Sequence, residues 1–191
     1  MSFNNIPAGV NPPEDFYNII EIPQNIDPVK YEMNKEFDAI FIDRFLTTSM
    51  FYPANYGYIP KTLSEDGDPL DVLVLSPYPV VIGSVIRSRP VGVMYMEDEH
   101  GIDAKIIAVP HSKLSKIIEN ILDIHDVDKL ILDRIQHSFE HYKDLEEGKW
   151  VKLQGWGDVE KARNEIFNSI NAYSDGYYSL LFFALLGLAE N

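Results

Sequence analysis

The segment from Asp66 to Asp71 places three carboxylates within six residues, directly before the apolar residues 72–75. Pro69 fixes its own φ angle and favours an extended conformation at Asp68, so Asp66 and Asp68 are predicted to project to the same side. Two carboxylates about 4 Å apart repel by on the order of 4 kcal/mol at an effective dielectric constant of about 20, and Asp71 adds to this repulsion. A hard divalent cation would relieve it, so the segment is predicted to bind a metal ion.

Two other structures are conceivable for this segment. A calcium-binding loop needs Asp or Asn at its fifth position and Gly at its sixth, where this chain has Leu70 and Asp71, so that motif is excluded. A turn in which the Asp side chains accept hydrogen bonds from backbone amides remains open.

A second group of carboxylates surrounds His100 and Gly101 and comprises Glu97, Asp98, Glu99 and Asp103. Lys105 follows Asp103 by two residues, so an extended chain places both on one face, and Lys30 and Glu32 share a face in the same way. Acids that alternate with isolated bases suit a metal-chelated polyanion, because the acids bind the metal ions and the bases bind the anion. A solvated strand face explains each Lys/Glu pair separately, but it does not explain two groups of acids.

The composition limits the classes of function. The chain has 191 residues, 46% hydrophobic and 12% aromatic, which is enough for one domain with a core. A formal net charge of −14 repels phosphate backbones, so no nucleic-acid partner is expected and a barrel that binds single strands is disfavoured. The absence of cysteine excludes disulfides, thiolate zinc sites and cysteine nucleophiles. Residues 1–5 lack a basic region and an apolar stretch, so the cytoplasm is the predicted location.

Short β-branched or aromatic runs dominate the first part of the chain. Strands are predicted at residues 16–22, 29–34, 39–43, 70–75, 84–87, 90–96, 105–109 and 150–153. Apolar residues at helical spacing predict one helix over residues 126–148 and a second over residues 158–173. Because the strands do not alternate with helices, the predicted fold is α+β and mainly β: a closed antiparallel β-barrel with two main α-helices packed outside.

Residues 177–189 carry no charge and differ in composition from the rest of the chain. Thirteen residues are too few to cross a hydrocarbon core of about 30 Å, and the segment is apolar all round rather than on one face. No membrane partner is therefore expected. Residues 176–191 form an apolar C-terminal tail, which is either buried at a subunit contact or an appendage without a functional role.

Several motifs in fixed order make the chain closely resemble the soluble family I inorganic pyrophosphatases of bacterial type, over about residues 5–173. The motifs are Asp66-Gly-Asp-Pro-Leu-Asp71, Ile20-Glu-Ile-Pro23, Lys30-Tyr-Glu32, Asp43-Arg44, Tyr52-Pro-Ala-Asn-Tyr-Gly-Tyr58, Arg89-Pro-Val-Gly92, Asp98-Glu99 with Asp103-Ala-Lys105, and Phe139-Glu-His-Tyr-Lys-Asp-Leu145. So many matches in order are far more specific than a single motif.

The resemblance implies one pyrophosphatase domain over residues 1–175, with a five-stranded barrel of the oligonucleotide-binding (OB) type. It implies hydrolysis of pyrophosphate to two phosphates with several Mg²⁺ ions per subunit, for which Mn²⁺ or Zn²⁺ can substitute. It also implies a homohexamer built from two trimers. Mg²⁺ prefers one or two carboxylates together with phosphate oxygens and water, so scattered Asp residues are a suitable ligand supply.

The resemblance also assigns roles, position by position. Asp68 is the implied general base beside the nucleophilic water, and Tyr52 is its neighbour. The implied metal ligands are Glu32, Asp66, Asp71, Asp98 and Asp103, of which Asp71 bridges two ions, and the surrounding acidic shell is Glu21 and Glu99. The groups implied to bind the phosphoryl ends are Lys30, Arg44, Tyr56, Lys105, Tyr142 and Lys143, and Lys30, Arg44 and Lys143 also assist catalysis. From residue type alone, the three tyrosines could equally be core or interface aromatics.

A different class of enzyme is suggested by His137-Ser-Phe-Glu140-His141, which matches the H-x-x-E-H pattern of inverted zinc peptidases. The sequence offers no obvious third ligand, and Phe139 indicates a packed helix rather than one that lines a cleft. A zinc peptidase is therefore the disfavoured alternative, and His137 and His141 are assigned to an oligomer interface. The remaining histidines show no pairing and are expected on the surface or in loops: His100, His111 and His125.

Overall fold

The computed structural model describes residues 2–99 and 101–185, with side chains to residue 176. The strands are β1 Gly9–Asn11, β2 Asp15–Ile22, β3 Val29–Asn34, β4 Ala39–Phe45, β5 Asn55–Tyr58, β6 Asp71–Val74, β7 Val85–Asp98, β8 Gly101–Pro110 and β9 Val151–Gly157. The helices are α1 Lys129–His141 and α2 Val159–Leu185, and the short 3₁₀ turns are Phe3–Asn5 and Ile124–Asp126. The chain is mainly β with two helices, as predicted.

Seven of the strands form one sheet in the order β1-β2-β5-β6-β8-β7-β9. Because β2 also pairs with β7, the five strands β2, β5, β6, β8 and β7 form a ring of pairings. Four of these pairings are antiparallel, but β6 and β8 run parallel. The prediction of a wholly antiparallel arrangement is therefore wrong at this pair, since the chain reverses twice, into and out of β7, between β6 and β8.

The structure differs from the strand prediction most clearly at β7 and β5. The predicted strands at residues 84–87 and 90–96 are one continuous strand, β7, which accommodates Pro90 through a register irregularity between Pro90 and Gly92. Strand β5 was missed because it is short and contains Gly57. That glycine is needed for close packing, since a Cβ atom there would lie 1.9 Å from the carbonyl oxygen of Ile19.

The two faces of the strands pack on different helices. Along β6, Leu73 belongs to a cluster that includes Ile135 and Phe139 of α1, whereas its neighbour Val72 belongs to a cluster that includes Ile166 of α2. This alternation follows the two-residue period of side chains in a strand. The ring of strands is therefore held between the two helices.

The helix bounds also differ. Helix α1 begins after Asp128, whose carboxylate accepts a hydrogen bond from the Leu130 amide, and it ends at His141, earlier than predicted. Leu130 and Ile131, which belong to the predicted apolar face, are exposed on this single chain.

Helix α2 continues past the predicted end at residue 173 to Leu185, because no proline interrupts the sequence there. The prediction of an apolar tail over residues 176–191 lies partly outside the described residues, which end at 185. No described helix is both long and apolar enough to cross a membrane.

Strands β3 and β4 form a separate antiparallel hairpin. The hairpin is attached to the main sheet through Glu21 of β2, whose Oε1 accepts a hydrogen bond of 2.7 Å from the Met33 amide. A carboxylate thus connects the hairpin to the sheet at the place where charged side chains converge.

Candidate active site

One cavity of about 220 Å³ lies between the β3–β4 hairpin, the segment that leads into β6, and the chain that follows α1. All of the predicted catalytic, metal-binding and substrate-binding residues line this cavity: Glu21, Lys30, Glu32, Arg44, Tyr52, Tyr56, Asp66, Asp68, Asp71, Asp98, Glu99, Asp103, Lys105, Tyr142 and Lys143. The two acidic groups of the sequence therefore meet at one cavity. The individual roles of these residues stay predictions.

The parallel pairing of β6 with β8 brings three charged groups together. Asp71 and Lys105 are paired in register, and Asp103 lies two residues before Lys105 on the same face of β8. The Lys105 Nζ atom donates hydrogen bonds of 2.6 Å to Oδ2 of both Asp71 and Asp103. Burial lowers the pKa of Lys105, but the carboxylates of Asp103 and Asp71 raise it well above its usual value. Lys105 is therefore a permanent buried cation.

Aromatic side chains form the inner wall of the cavity. The rings of Tyr52 and Tyr56 lie 5.1 Å apart, and both pack near Phe139. The hydroxyl of Tyr56 donates a hydrogen bond of 2.6 Å to Asp71 Oδ2. Burial raises the pKa of Tyr52 and of Tyr56, and the nearby charge of Asp71 raises both further. Both hydroxyls are therefore hydrogen-bond donors rather than bases at neutral pH.

A second buried ammonium lies at the end of α1. Lys143 follows the helix terminus by two residues, and its Nζ atom donates to Asp98 Oδ2 at 2.7 Å and to Glu99 Oε1 at 3.1 Å. Burial lowers the pKa of Lys143, but the hydrogen bond to Asp98 and the other acids raise it overall. The second acidic group of the sequence is therefore also paired with a lysine.

The hairpin supplies two further cations. Lys30 and Arg44 are paired in register across β3 and β4. Lys30 Nζ lies 3.3 Å from Glu32, as the two-residue spacing predicted, and 3.0 Å from Asp43. Asp43 also accepts a hydrogen bond of 2.7 Å from Arg44. Asp43 thus orients two cations that face the cavity, a role that the sequence analysis did not assign.

Sequence analysis also missed two residues that come from distant segments. Arg44 Nε donates to Glu146 Oε1 at 3.2 Å, although the two residues are 102 positions apart. Lys35 Nζ lies 2.9 Å from Asp68 Oδ1, between the tip of the hairpin and the acidic segment. Neither contact has a local sequence signal, because each depends on how the hairpin folds over the cavity.

The acidic segment itself is a tight turn. Gly67 has a φ of +89°, and the Asp68 amide donates a hydrogen bond of 3.0 Å to Asp66 Oδ1. This is the capping contact that the turn interpretation predicted. Both carboxylates nevertheless line the cavity, so the turn and the metal-site interpretations do not exclude each other.

No three His, Asp or Glu side chains among the described residues are already arranged around a single point as a metal site. In the cavity, ammonium groups lie between the carboxylates: Lys105 between Asp71 and Asp103, and Lys143 between Asp98 and Glu99. Among the described residues, His137 and His141 are not part of such a group either: their rings lie 4.6 Å apart, and His141 Nδ1 lies 2.7 Å from Asp144.

The donor set of the cavity nevertheless fits hard divalent cations. Eight carboxylates and six cationic side chains line it, so negative charge is in excess. Burial and the charge of Asp71 raise the pKa of Glu21 to about 8, and burial also raises the pKa of Asp103. A raised pKa means that the ionised carboxylate is less favoured than it is in water, and a bound divalent cation such as Mg²⁺ would favour the ionised form again.

Comparison with known proteins gives a consistent picture. A family model described as inorganic pyrophosphatase matches residues 18–174. The inorganic pyrophosphatase of Escherichia coli (strain K12) is 61% identical over 169 residues, which cover 88% of this chain and 96% of the relative. Inorganic pyrophosphatase 2 of Pseudomonas syringae pv. tomato is 60% identical over 174 residues, with 91% and 96% covered. A solved inorganic pyrophosphatase from Coxiella burnetii, 50% identical, superposes with a TM-score of 0.86 over 88% of this chain and 99% of that chain.

Proposed function

The chain belongs to the inorganic pyrophosphatase family and hydrolyses inorganic diphosphate, and we propose that the reaction takes place in the acidic cavity between the hairpin and the β6–β8 edge. The observation that carries this proposal is the placement of carboxylates and buried cations around one cavity of about 220 Å³. A small polyanion can enter such a cavity only if the carboxylates are neutralised and the cations are already oriented.

The cations bind the phosphoryl oxygens of the substrate. Lys30 and Arg44 are held from the hairpin by Asp43, and Lys143 is held at the opposite side by Asp98. Lys105 and the neutral hydroxyls of Tyr56 and Tyr142 complete the set of groups that bind the substrate. Because each cation already has a carboxylate partner, its position is fixed before the substrate arrives, which is the condition for electrostatic stabilisation of a phosphoryl transition state.

Glu32, Asp66, Asp71, Asp98 and Asp103 would hold the metal ions, and Glu21 and Glu99 would form the surrounding acidic shell. When bound, Mg²⁺ would lower the pKa of the attacking water and offset the charge of pyrophosphate, and Mn²⁺ or Zn²⁺ could substitute for it. The excess of carboxylates over cations in the cavity supports this assignment.

Asp68 is the general base. Its side chain is 63% exposed at the mouth of the cavity, where water has access, and it accepts the proton that the attacking water loses. The water oxygen bonds to one phosphorus, and the bond from that phosphorus to the bridging oxygen breaks. The bridging oxygen leaves with the electron pair as part of the second phosphate, whose charge Lys30, Arg44 and Lys143 offset. Tyr52 packs beside Tyr56 in the inner wall of the cavity.

The same proposal covers the barrel, the domain bounds, the cellular location and the oligomeric state. The ring of five strands is a closed barrel of the OB type, within a single catalytic domain over residues 1–175, and residues 176–191 are a tail outside it. The protein acts in the cytoplasm as a homohexamer of two trimers, with His137 and His141 at a subunit interface.

Phosphate release from pyrophosphate tests the proposal. Activity is expected with Mg²⁺, to be lost on addition of EDTA, and to return when Mg²⁺ is restored in excess. Asp71→Asn should lower Mg²⁺-dependent turnover, whereas the matched change Asp133→Asn on the exposed face of α1 should not. Calcium should inhibit, because its looser coordination misplaces the water. Full turnover in metal-free buffer would refute the metal assignment.

A further inference from the structure

A threonine hydroxyl closes the base of the loop that carries the acidic segment. Strands β5 and β6 are paired at Tyr58 and Asp71, and the Ile59 amide donates to the Leu70 carbonyl at 2.9 Å. The reciprocal contact runs through Thr62. The Leu70 amide donates to Thr62 Oγ1 at 2.9 Å, and Thr62 Oγ1 donates to the Ile59 carbonyl at 2.5 Å.

These groups are removed from water. Thr62 is 2% exposed, Ile59 is fully buried and Leu70 is 1% exposed. Without the hydroxyl, a buried amide and a buried carbonyl would each lose a partner, and the loop would have to move to recover one. The hydroxyl therefore determines where the loop leaves the sheet.

Few other hydrogen bonds fix the loop beyond this point. The Leu63 amide donates to the Ser169 carbonyl of α2 at 2.9 Å, and the Ser64 amide donates to the Asp68 carbonyl at 2.7 Å. The Gly67 amide donates to the Ser64 carbonyl at 3.1 Å, and the Asp68 amide donates to Asp66 Oδ1 within the acidic turn. The positions of Asp66 and Asp68 thus depend on a short chain of contacts that begins at Thr62.

We propose that Thr62 is a positioning residue for hydrolysis, because its hydroxyl sets the direction of the loop and thereby the place of the Asp68 and Asp66 carboxylates. Thr62 is not among the residues that line the cavity, so it acts through the loop and does not touch the substrate. The proposal rests on the function proposed above. Displacement of a reacting group by about 1 Å can cost on the order of 10²-fold in rate.

The test compares Thr62→Val, which keeps the shape and removes the hydroxyl, with Thr62→Ser, which keeps the hydroxyl. Thr47→Val is the matched control, since Thr47 is exposed. Turnover is measured with Mg²⁺ and pyrophosphate well below the melting temperature of each variant, together with KM and the melting temperature itself. We expect Thr62→Val to lower kcat by at least ~10-fold with little change in KM, Thr62→Ser to stay near the wild type, and Thr47→Val to be unchanged.

A purely structural role predicts a different result: a lower melting temperature with an unchanged kcat in the folded Thr62→Val protein, and that result would overturn the proposal. If Thr62→Val does not fold, hydrogen exchange of the Leu70 amide in the wild-type protein tests the proposal, because a fast-exchanging amide would contradict its hydrogen bond to Thr62 Oγ1. A large loss of kcat in Thr62→Ser would contradict it as well. Failure of the proposed function is distinguishable, since the wild type itself would then release no phosphate.

Discussion

Asp71 and Lys105 are Cα partners in the parallel pairing of β6 with β8, and the Lys105 ammonium lies 2.6 Å from Asp71 Oδ2. The register of two buried strands thus places a cation against a carboxylate. Lys105 is 3% exposed, and its second partner, Asp103, lies on its own strand. Removal of the ammonium would leave two carboxylates uncompensated in the cavity wall.

Lys105→Met is therefore expected to lower the free energy of unfolding of the metal-free protein by about 3–5 kcal/mol, the usual cost of removing one partner of a buried pair. Mg²⁺ should raise the melting temperature of this variant more than that of the wild type, because the variant has more uncompensated negative charge. Lys129→Met is the control, since Lys129 is 85% exposed and its pair with Asp133 contributes little. Equal destabilisation by both changes in thermal denaturation would contradict the prediction.

A contact in this site could be predicted from the sequence only where its two residues lie close together along the chain. The two-residue spacing in β8 correctly placed Lys105 beside Asp103, and the same spacing in β3 placed Lys30 beside Glu32. These contacts follow from strand geometry alone. The contact of Lys105 with Asp71 was not predicted, because it requires the parallel register of two strands that are separated by β7.

Dependence on segments that are distant in sequence also explains which contacts the sequence did not reveal. Glu146 meets Arg44 only because the chain after α1 passes the hairpin, and Lys35 meets Asp68 only because the hairpin folds over the acidic turn. The fold was predictable in its composition, mainly strands with two helices. It was not predictable at β7, where Pro90 suggested a break but a bulge keeps the strand continuous.

Replacement of the carboxylate by an amide is expected to affect stability differently at Asp68 and at Asp71. The Asp68 side chain is 63% exposed and pairs with an exposed Lys35, so Asp68→Asn should change the free energy of unfolding by no more than about 0.5 kcal/mol. It should still lower kcat by at least ~10²-fold, since the base is lost.

Asp71→Asn should lower both kcat and the melting temperature of the metal-free protein, because Lys105 and Tyr56 each lose a charged partner. Steady-state kinetics and thermal denaturation in EDTA check both variants. A stable Asp71→Asn protein, or an active Asp68→Asn protein, would contradict the respective assignment.

The ion pair of Asp15 with Arg87, away from the cavity, predicts a pH effect on stability. The hydrogen bond from Arg87 lowers the pKa of Asp15 below its usual value near 3.8, against the effect of burial, and His111 lies 3.9 Å from the same carboxylate. A lowered pKa means that the folded protein favours the ionised form. The stabilisation is therefore present above pH 3.8 and is lost as the pH falls below that value.

Asp15→Asn should accordingly be less stable than the wild type at pH 7, and the difference should narrow as the pH falls below about 4. Chemical denaturation at several pH values measures this difference. The exposed Asp133→Asn change should show no comparable trend. A difference that is constant with pH would rule out the Asp15 ion pair as its cause.

The C-terminal tail is expected to be dispensable for turnover. Among the side chains that the structure describes, α2 contacts the loop before β6 as far as Tyr173, whose hydroxyl accepts a hydrogen bond of 3.3 Å from Lys61, and the family model ends at residue 174. A chain truncated after Gly176 should therefore keep its kcat. A chain truncated after Ala172 loses the Tyr173 contact and should melt at a lower temperature. Loss of most activity in the chain truncated after Gly176, at concentrations where the protein is still assembled, would contradict the prediction.

The last prediction concerns His137 and His141, whose rings lie 4.6 Å apart on α1. If both lie at a subunit interface, His137→Ala/His141→Ala should keep Mg²⁺-dependent hydrolysis at high concentration and dissociate more readily on dilution.

Sedimentation of the wild type and the double variant over a dilution series at one pH separates the possibilities, with Lys129→Met on the same helix as control. We expect the variant to dissociate at higher protein concentrations than the wild type, and Lys129→Met to behave as the wild type does. An assembly that is unchanged in the variant at every concentration would remove the interface assignment. Loss of hydrolysis together with bound zinc would instead restore the peptidase alternative.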